Sequence, residues 1–434
     1  MTFWLDISLL MIKTMAFAVL NPFFWLVVFI VFMQYRRVIT MEKKLFGRSI
    51  NNMWKQTLYS VVFGLMGGIF GSIFLLLLGI SLDRIGIAYI WPVAILLLLI
   101  NPRFLCFAYA GGIVAVASIA IRGLLPLWPA LGDISLFVGL TDIHLPSLLA
   151  LVGILHLTEA FLIYVSGHLG ASPIYLKTPS GKVVGGYSMQ RFWPLPLMGL
   201  WTLLVTETSN IFVGGVPMPE WWPLLGTVMS TGVGDEKIIY LMVPLVAGLG
   251  YSDLALSSHP QEKRVKTAWN LAVYSLVLSA MAITAAFVPF MIIPAALMAP
   301  LGHEFLIRLG NKDEFSKPPL FNSDHNDGLS IMAVIPDSPA EKAGLISGDN
   351  LVEVNHHHID SELEFWNILR VNYYRVFLTI IRRGKHINLP VQIHPLPVSQ
   401  FGLIFAPGKL ANVYVEMKQS TMLKNIRRRF SRRK

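Results

Sequence analysis

Eight apolar runs fill most of the chain between residues 15 and 298, at about 15–33, 57–80, 86–100, 104–121, 146–166, 193–214, 238–256 and 268–298. No soluble core absorbs that many, and most approach the roughly 20 residues that carry an α-helix across a bilayer. Charged residues make up 14% of the 434, against about 25% in a soluble domain. The fold class that follows is a polytopic α-helical membrane bundle. Residues 124–140 are also apolar but carry Pro126, Pro129 and Asp133, so they read as a loop or a partial insertion. At the N-terminus Asp6 opposes Lys13, and the apolar run continues to Met33 without a small-x-small cleavage site, so it reads as a retained first span.

Cations set the orientation. Arg36, Arg37, Lys43, Lys44, Arg48 and Lys55 face only Glu42 in the first large loop; Lys177, Lys182 and Arg191 mark a second, and Lys263, Arg264 and Lys266 a third. These loops are expected in the cytoplasm and the N-terminus outside. The net charge of +10 is a membrane-protein signature of this kind, and no nucleic-acid role is expected. The segment 268–298 is too long for one crossing, since a single helix there would reach about 46 Å. Pro289 and Pro294 break it into a helical hairpin or a re-entrant segment that returns the chain to the cytoplasm. Beyond Arg308 the chain is again cationic and ends in KNIRRRFSRRK, a basic tail suited to anionic lipid. Gly64, Gly67, Gly68 and Gly71 have the spacing of close helix–helix packing.

Polar residues inside the runs are few. His156 and Glu159 share one helix face, as do Glu207 and Asn210 in a later run. They read as an intramembrane hydrogen-bonded network that fixes the bundle. A metal site built on His156 and Glu159, with His168, Glu207 or His303, is the weaker reading because no HExxH is present. Neither GxSxG, a phosphate loop nor a dinucleotide fingerprint occurs, so no catalytic residue, metal or cofactor is expected. Cys106, the only cysteine, reads as a small packed core residue. His356-His357-His358 falls in an exposed turn.

The C-terminal third changes character. Residues 328–355, GLSIMAVIPDSPAEKAGLISGDNLVEVN, alternate like a strand, pass a short capped helix and a Gly348-Asp349 turn, and enter a second strand. A helix follows from Asp360 to Leu369, with Leu363, Trp366 and Leu369 on one face, then strands 376–382 and 387–393. This pattern resembles a PDZ domain of the circularly permuted bacterial type. Such modules bind an extended peptide between a helix and a strand and hold its carboxylate on the amides of a Gly-Leu-Gly-Phe-like loop. Here Phe401-Gly402-Leu403-Ile404 is one candidate for that loop and Gly328-Leu329, leading into Ile331, the other. A bulky residue in place of Gly402 is expected to block the loop and leave the fold intact. The domains are then 1–300, a bundle of seven or eight spans; 301–325, a juxtamembrane linker; 326–407, the PDZ module; and 408–434, the basic tail.

Residues 167–192 read as a small cytoplasmic hairpin, either a dock for the module or a partner, or an ordered connector. Taken with the spans, the segments SPIYLKTPSGKVVGGYSMQRFWPLP and LGHEFLIRLG and the module ending at FGLIF, the chain resembles the MinJ family of membrane PDZ proteins of Gram-positive rods. The resemblance implies an adaptor at cell poles and septa that links a DivIVA-type scaffold to a MinD-type division inhibitor. The residues themselves leave two other classes open. One is a site-2-protease-like intramembrane peptidase, against which the missing HExxH stands. The other is a scaffold binding C-terminal peptides in secretion or transport.

Overall fold

A computed structural model describes residues 2–178, 181–206, 216–225, 236–322, 328–371, 374–393, 400–408 and 415–416. Seven helices open the chain: α1 (Thr2–Leu20), α2 (Pro22–Phe46), α3 (Met53–Leu78), α4 (Ile87–Ile100), α5 (Phe107–Leu124), α6 (Ser135–Thr141) and α7 (Leu145–Ser166). Three strands follow, β1 (Ser172–Lys177), β2 (Val183–Thr206) and β3 (Glu236–Ala255), then α8 (Pro260–Phe287) and α9 (Ile292–Ser316). Among the described residues six helices are long and apolar enough to cross a membrane: α2, α3, α5, α7, α8, and α9 with the turn from Pro289 before it. α7 forms the centre, with Leu148, Leu149, Val152 and Leu162 fully buried. Outward-facing Trp25, Leu58, Trp91 and Trp269 are exposed, as lipid-facing side chains are.

The first run, 15–33, is not one helix. It is broken at Asn21, whose side chain accepts from Phe23 N at 2.9 Å while Pro22 takes the first helical position. The segment 268–298 is not one helix but the end of α8, a turn and the start of α9. Its break falls at Val288–Met291 with Pro289 in the turn, and Pro294 lies in the first turn of α9, where its missing N–H costs nothing. Residues 129–141 form a short turn of helix and α6, not a crossing.

Two expected spans are not helices. The described part of the first run, 193–206, lies on β2 and residues 238–255 lie on β3, an antiparallel ribbon paired from Tyr187↔Ala255 to Thr206↔Glu236. Bare strand edges are excluded from hydrocarbon because each open N–H costs several kcal/mol. The ribbon avoids this on the edge of β2 that faces α3. Phe192 N donates to Tyr35 Oη at 3.4 Å, Met198 N to Ser72 Oγ at 2.9 Å and Thr202 N to Asp83 Oδ1 at 3.3 Å. Leu200 bridges to Ser81, and the two remaining positions, 194 and 196, are prolines with no N–H to satisfy. The glycines of α3 therefore serve a strand more than a helix. A Cβ on Gly64 or Gly68 would overlap the carbonyl oxygen of Pro194 or Pro196, while Gly67 and Gly71 accommodate Leu162 and Thr158 of α7.

From Arg191 to Leu200 the strand climbs about 30 Å, about the thickness of a bilayer's hydrocarbon core. At one end Arg191 Nη1 donates to Gln56 Oε1 at 2.6 Å, Glu42 accepts from Ile50 N, Asn51 and Ser172, and Glu314 accepts from Leu256 N and Ser257 N while pairing with Lys263. All three cationic loops meet there. At the other end lie Ser81, Asp83, Arg122 and His144, with His144 N on Arg84 O and Leu225 N on Leu78 O. Burial works to raise the Asp83 carboxyl, but hydrogen bonds from Ser81 and from the hydroxyl and amide of Thr202 outweigh it and hold the group below its usual range.

The C-terminal module contains β4 (Leu329–Val334), α10 (Pro339–Lys342), β5 (Asn350–Val354), β6 (His357–His358), α11 (Glu362–Val371), β7 (Arg375–Arg382), β8 (Lys385–Gln392) and β9 (Leu403–Phe405). The sheet runs β8-β7-β5-β4-β9, with β6 paired to β5. Its last strand in sequence is thus an edge strand beside its first. A final strand, β10 (Val415–Glu416), leaves the module and pairs parallel with β1.

Candidate functional site

The edge strand β9 and the helix α11 stand side by side and define the candidate peptide site, where Tyr175 already takes the outward carbonyl of Phe405. Four aromatic rings join them: Phe365 lies 5.6 Å from Phe401 and 5.1 Å from Phe405, and Trp366 lies 6.5 and 6.2 Å from the same two rings. The helix starts at Ser361, whose Oγ accepts from Glu364 N at 3.2 Å. The buried face of α11 is Phe365 and Leu369. Leu363, expected on that face, is 70% exposed, one turn before Trp366 on the groove side. Trp366 Nε1 donates to Glu362 Oε1 at 2.9 Å, which fixes the indole.

At the start of β9 the carbonyls of Phe401 and Gly402 point into the module, accepting from Ala340 N at 3.1 Å and Ile335 N at 2.8 Å. In a trans peptide the N–H opposes the preceding C=O, so the amides of Gly402 and Leu403 are directed away from the module body. Two successive amides aimed outward make an anion-binding concavity. Gly402 holds φ +93°, and a Cβ there would collide with the side chain of Ser338. A tryptophan at 402 would therefore disturb the fold as well as the loop, contrary to the sequence expectation. The competing segment sits elsewhere. Gly328 and Leu329 lead into β4, whose Leu329 and Ser330 pair with Leu351 and Asn350, and Ile331 is a fully buried core residue. Ile404 also points away from the groove, into the core shared with the bundle.

The module is docked on the bundle through the β1–β2 hairpin, one of the alternatives for 167–192. Tyr187 Oη donates to Met332 O and lies 2.7 Å from Ser347 Oγ, and Tyr175 Oη donates to Phe405 O at 2.8 Å. Burial, with Glu362 nearby, pushes the Tyr175 hydroxyl well above its usual range, which keeps it a donor. Gly185 N donates to Phe321 O at 3.0 Å. A Cβ on Gly185 would come within 2.9 Å of both Met332 and Phe321, so this glycine permits the close approach.

The intramembrane polar residues group differently from the sequence expectation. His156 meets Cys106 and His303, not Glu159. Cys106 is no plain packing residue: it caps α5, accepting from Ala108 N at 3.5 Å. His168 lies at the end of α7 in the field of Arg264 and Arg191; burial first, then those cations, lower its pKa. Glu207, Asn210 and the basic tail from 417 lie outside the described residues.

A family model for the PDZ domain matches residues 330–383. The C-terminal module is a PDZ domain. Over most of its length the chain is similar to the cell division topological determinant MinJ of Bacillus subtilis: 25% identical over 372 residues, covering 86% of this chain and 88% of that one. The serine endoprotease DegS of Haemophilus influenzae is 35% identical over 81 residues, 18% of this chain and 24% of that protein, a match confined to the PDZ domain. The solved PDZ domain of an SdrC-like protein from Listeria monocytogenes is 20% identical, covers 19% of this chain and 90% of its own, and has a TM-score of 0.17.

Proposed function

We propose that this chain is a division-site adaptor, a membrane anchor that presents its PDZ domain to cytoplasmic proteins at septa and poles. The observation that carries the reading is the place of the groove. It is built on a module latched by Tyr175 and Tyr187 to the end of the bundle where all three cationic loops gather, the cytoplasmic end by the distribution of positive charge. The likeness to MinJ over most of the chain selects division from the other uses of such an anchor. By the same likeness the partners are a DivIVA-type scaffold and a MinD-type inhibitor. Peptide binding falls to the Phe401–Leu403 loop, the β9 edge, Leu363 and Trp366. The basic tail adds contacts to anionic lipid. No hydrolytic chemistry is assigned, since His156 is joined by a thiol and a second imidazole rather than by the glutamate base of an HExxH helix.

A fluorescent fusion should concentrate at septa and poles, and a deletion strain should misplace division. Uniform membrane fluorescence with normal cell length would refute the adaptor reading. Reporter fusions after Lys317 and at Lys434 should be active only as cytoplasmic reporters; external activity at both sites would place the PDZ domain on the other side.

The groove has its own test. Leu363→Asp changes an exposed position and should leave the fold unchanged. It should weaken partner binding about tenfold, equal to about 1.4 kcal/mol, measured by titrating labelled partner peptide onto the full-length protein. Unchanged affinity would move the binding surface off α11.

A further inference from the structure

Three stretches far apart in sequence bring ligand atoms together between α5, α7 and α9. Cys106 Sγ lies 3.1 Å from His156 Nε2 and 3.8 Å from His303 Nε2, and the ligand atoms of the three residues all fall within 4.8 Å of one another. We propose that Cys106, His156 and His303 form a zinc site that clamps α9 to α5 and α7.

The spacing is that of a tetrahedral centre. With a zinc–sulfur bond of about 2.3 Å and a zinc–nitrogen bond of about 2.0–2.1 Å, sulfur and nitrogen ligands stand about 3.6 Å apart; the two observed separations bracket this. The tautomer is set as well. His156 Nδ1 is 2.7 Å from Val152 O, and a carbonyl only accepts, so Nδ1 carries the proton and Nε2 presents its lone pair to the sulfur. Hydrogen bonding accounts for the third member only weakly, since a thiol sulfur is a poor acceptor and stands 3.8 Å from His303 Nε2. The thiol hydrogen serves one imidazole, a second imidazole edge faces the same sulfur at longer range, and His303 Nδ1 is buried without a hydrogen-bond partner. Edge-on packing of the His303 ring against Tyr109, at 5.3 Å between centroids, and against His156, at 5.1 Å, holds it in this position.

Donor chemistry selects the ion. One thiolate and two imidazoles suit Zn²⁺ and reject Mg²⁺ and Ca²⁺. On binding, the Cys106 S–H bond is replaced by a zinc–sulfur bond and the proton leaves to solvent; both imidazoles stay neutral and nothing is oxidised or reduced. Cys106 and His303 are only partly buried, which gives the ion a path in. The neighbouring carboxylate, Glu304, is already held by Arg103, Arg308 and Tyr109. It thus does not complete the set, so the fourth position falls to water; with no free carboxylate beside that water to act as a base, the ion serves to hold the three helices together. Since α9 leads through Phe321 to the PDZ domain, the ion would fix the helix that carries that domain.

Full-length protein in detergent, loaded with zinc and dialysed, should retain one zinc per chain by elemental analysis. Cobalt in its place should give tetrahedral visible bands and a sulfur-to-cobalt charge-transfer band. Cys106→Ser keeps the helix cap and should fold, yet lose the charge-transfer band and at least nine-tenths of the metal. Zinc should raise the melting temperature of the wild type but not of the variant. His303→Gln should lose the metal in the same way, a check that does not depend on the cap. Wild-type protein without stoichiometric zinc and without the sulfur-to-cobalt band, or equal zinc content in both variants, overturns the site.

Discussion

Asp349→Ala should unfold the PDZ domain at temperatures where the wild type is intact. The carboxylate is buried and accepts from Arg382 Nε and Nη2, both at 2.7 Å, and from Ile346 N at 2.9 Å. Its backbone carbonyl accepts from Ile331 N, so the same residue ties the turn before β5 to β4. The hydrogen bond and the charge of Asp349 raise the pKa of Arg382 further, and its Nη2 also reaches Gly344 O. Removing one member of a buried pair costs about 3–5 kcal/mol. Arg382 keeps some solvent contact, with 28% of its side chain exposed, so the lower end applies. About 3 kcal/mol shifts the midpoint of a domain this size by roughly 15 °C. Limited proteolysis of the full-length protein against temperature reads this directly, with cleavage inside 328–393 as the signal. Asp349→Asn, which keeps an acceptor for Ile346 N, should fall between. Equal protease resistance in the alanine variant would show that the pair contributes little.

The PDZ domain was legible in sequence because its rules are local. Ser338 and Ser361 cap helices by accepting from the amide three residues on. Gly344 and Gly348 take positive φ where the chain turns. Which of Phe401-Gly402 and Gly328-Leu329 lies beside α11 was not legible, because it depends on which strand ends at the sheet edge. The long ribbon was misread for a physical reason. Hydropathy over 193–214 and 238–256 reports that a segment is apolar, and cannot say whether its backbone is paired along one segment or between two. A finer signal was present: Pro194 and Pro196 stand two apart, destructive in a helix but suited to the outward positions of one strand edge. Cys106, His156 and His303 could not be grouped from spacing, since their separations of 50 and 197 residues obey no motif. The two segments that carried the family likeness prove to be the joints of the molecule. One supplies Tyr175, Gly185 and Tyr187 to the PDZ dock; the other supplies His303, Glu304 and Arg308 to the contact of α9 with the Arg103 loop.

Gly68→Val should abolish the folded bundle, while Gly67→Ala, one residue away, should not. Both glycines face neighbours, but of different kinds. A Cβ at Gly67 would meet the methyl ends of Leu162 at 2.8 and 3.0 Å, and a leucine side chain can shift its rotamer. A Cβ at Gly68 would overlap the backbone carbonyl of Pro196. That carbonyl is fixed on the ribbon by the pairing of Pro196 with Val246 and by Met198 N on Ser72 Oγ two residues later. Overpacking a rigid contact costs about 1–3 kcal/mol and occasionally more, and separating β2 from α3 would also bare strand amides that lipid cannot satisfy. The loss is therefore cooperative. Gly123→Ala near the end of α5, with nothing within 4 Å of its Cβ, serves as the neutral comparison. The readout is the yield of monodisperse protein after detergent extraction: wild-type levels for Gly123→Ala, a modest decrease for Gly67→Ala, and at least a tenfold loss for Gly68→Val. Ordinary helix–helix packing around the four glycines predicts no such contrast between adjacent positions. Equal tolerance at 67 and 68 would therefore remove the strand from the face of α3 and restore the helical reading of residues 193–206.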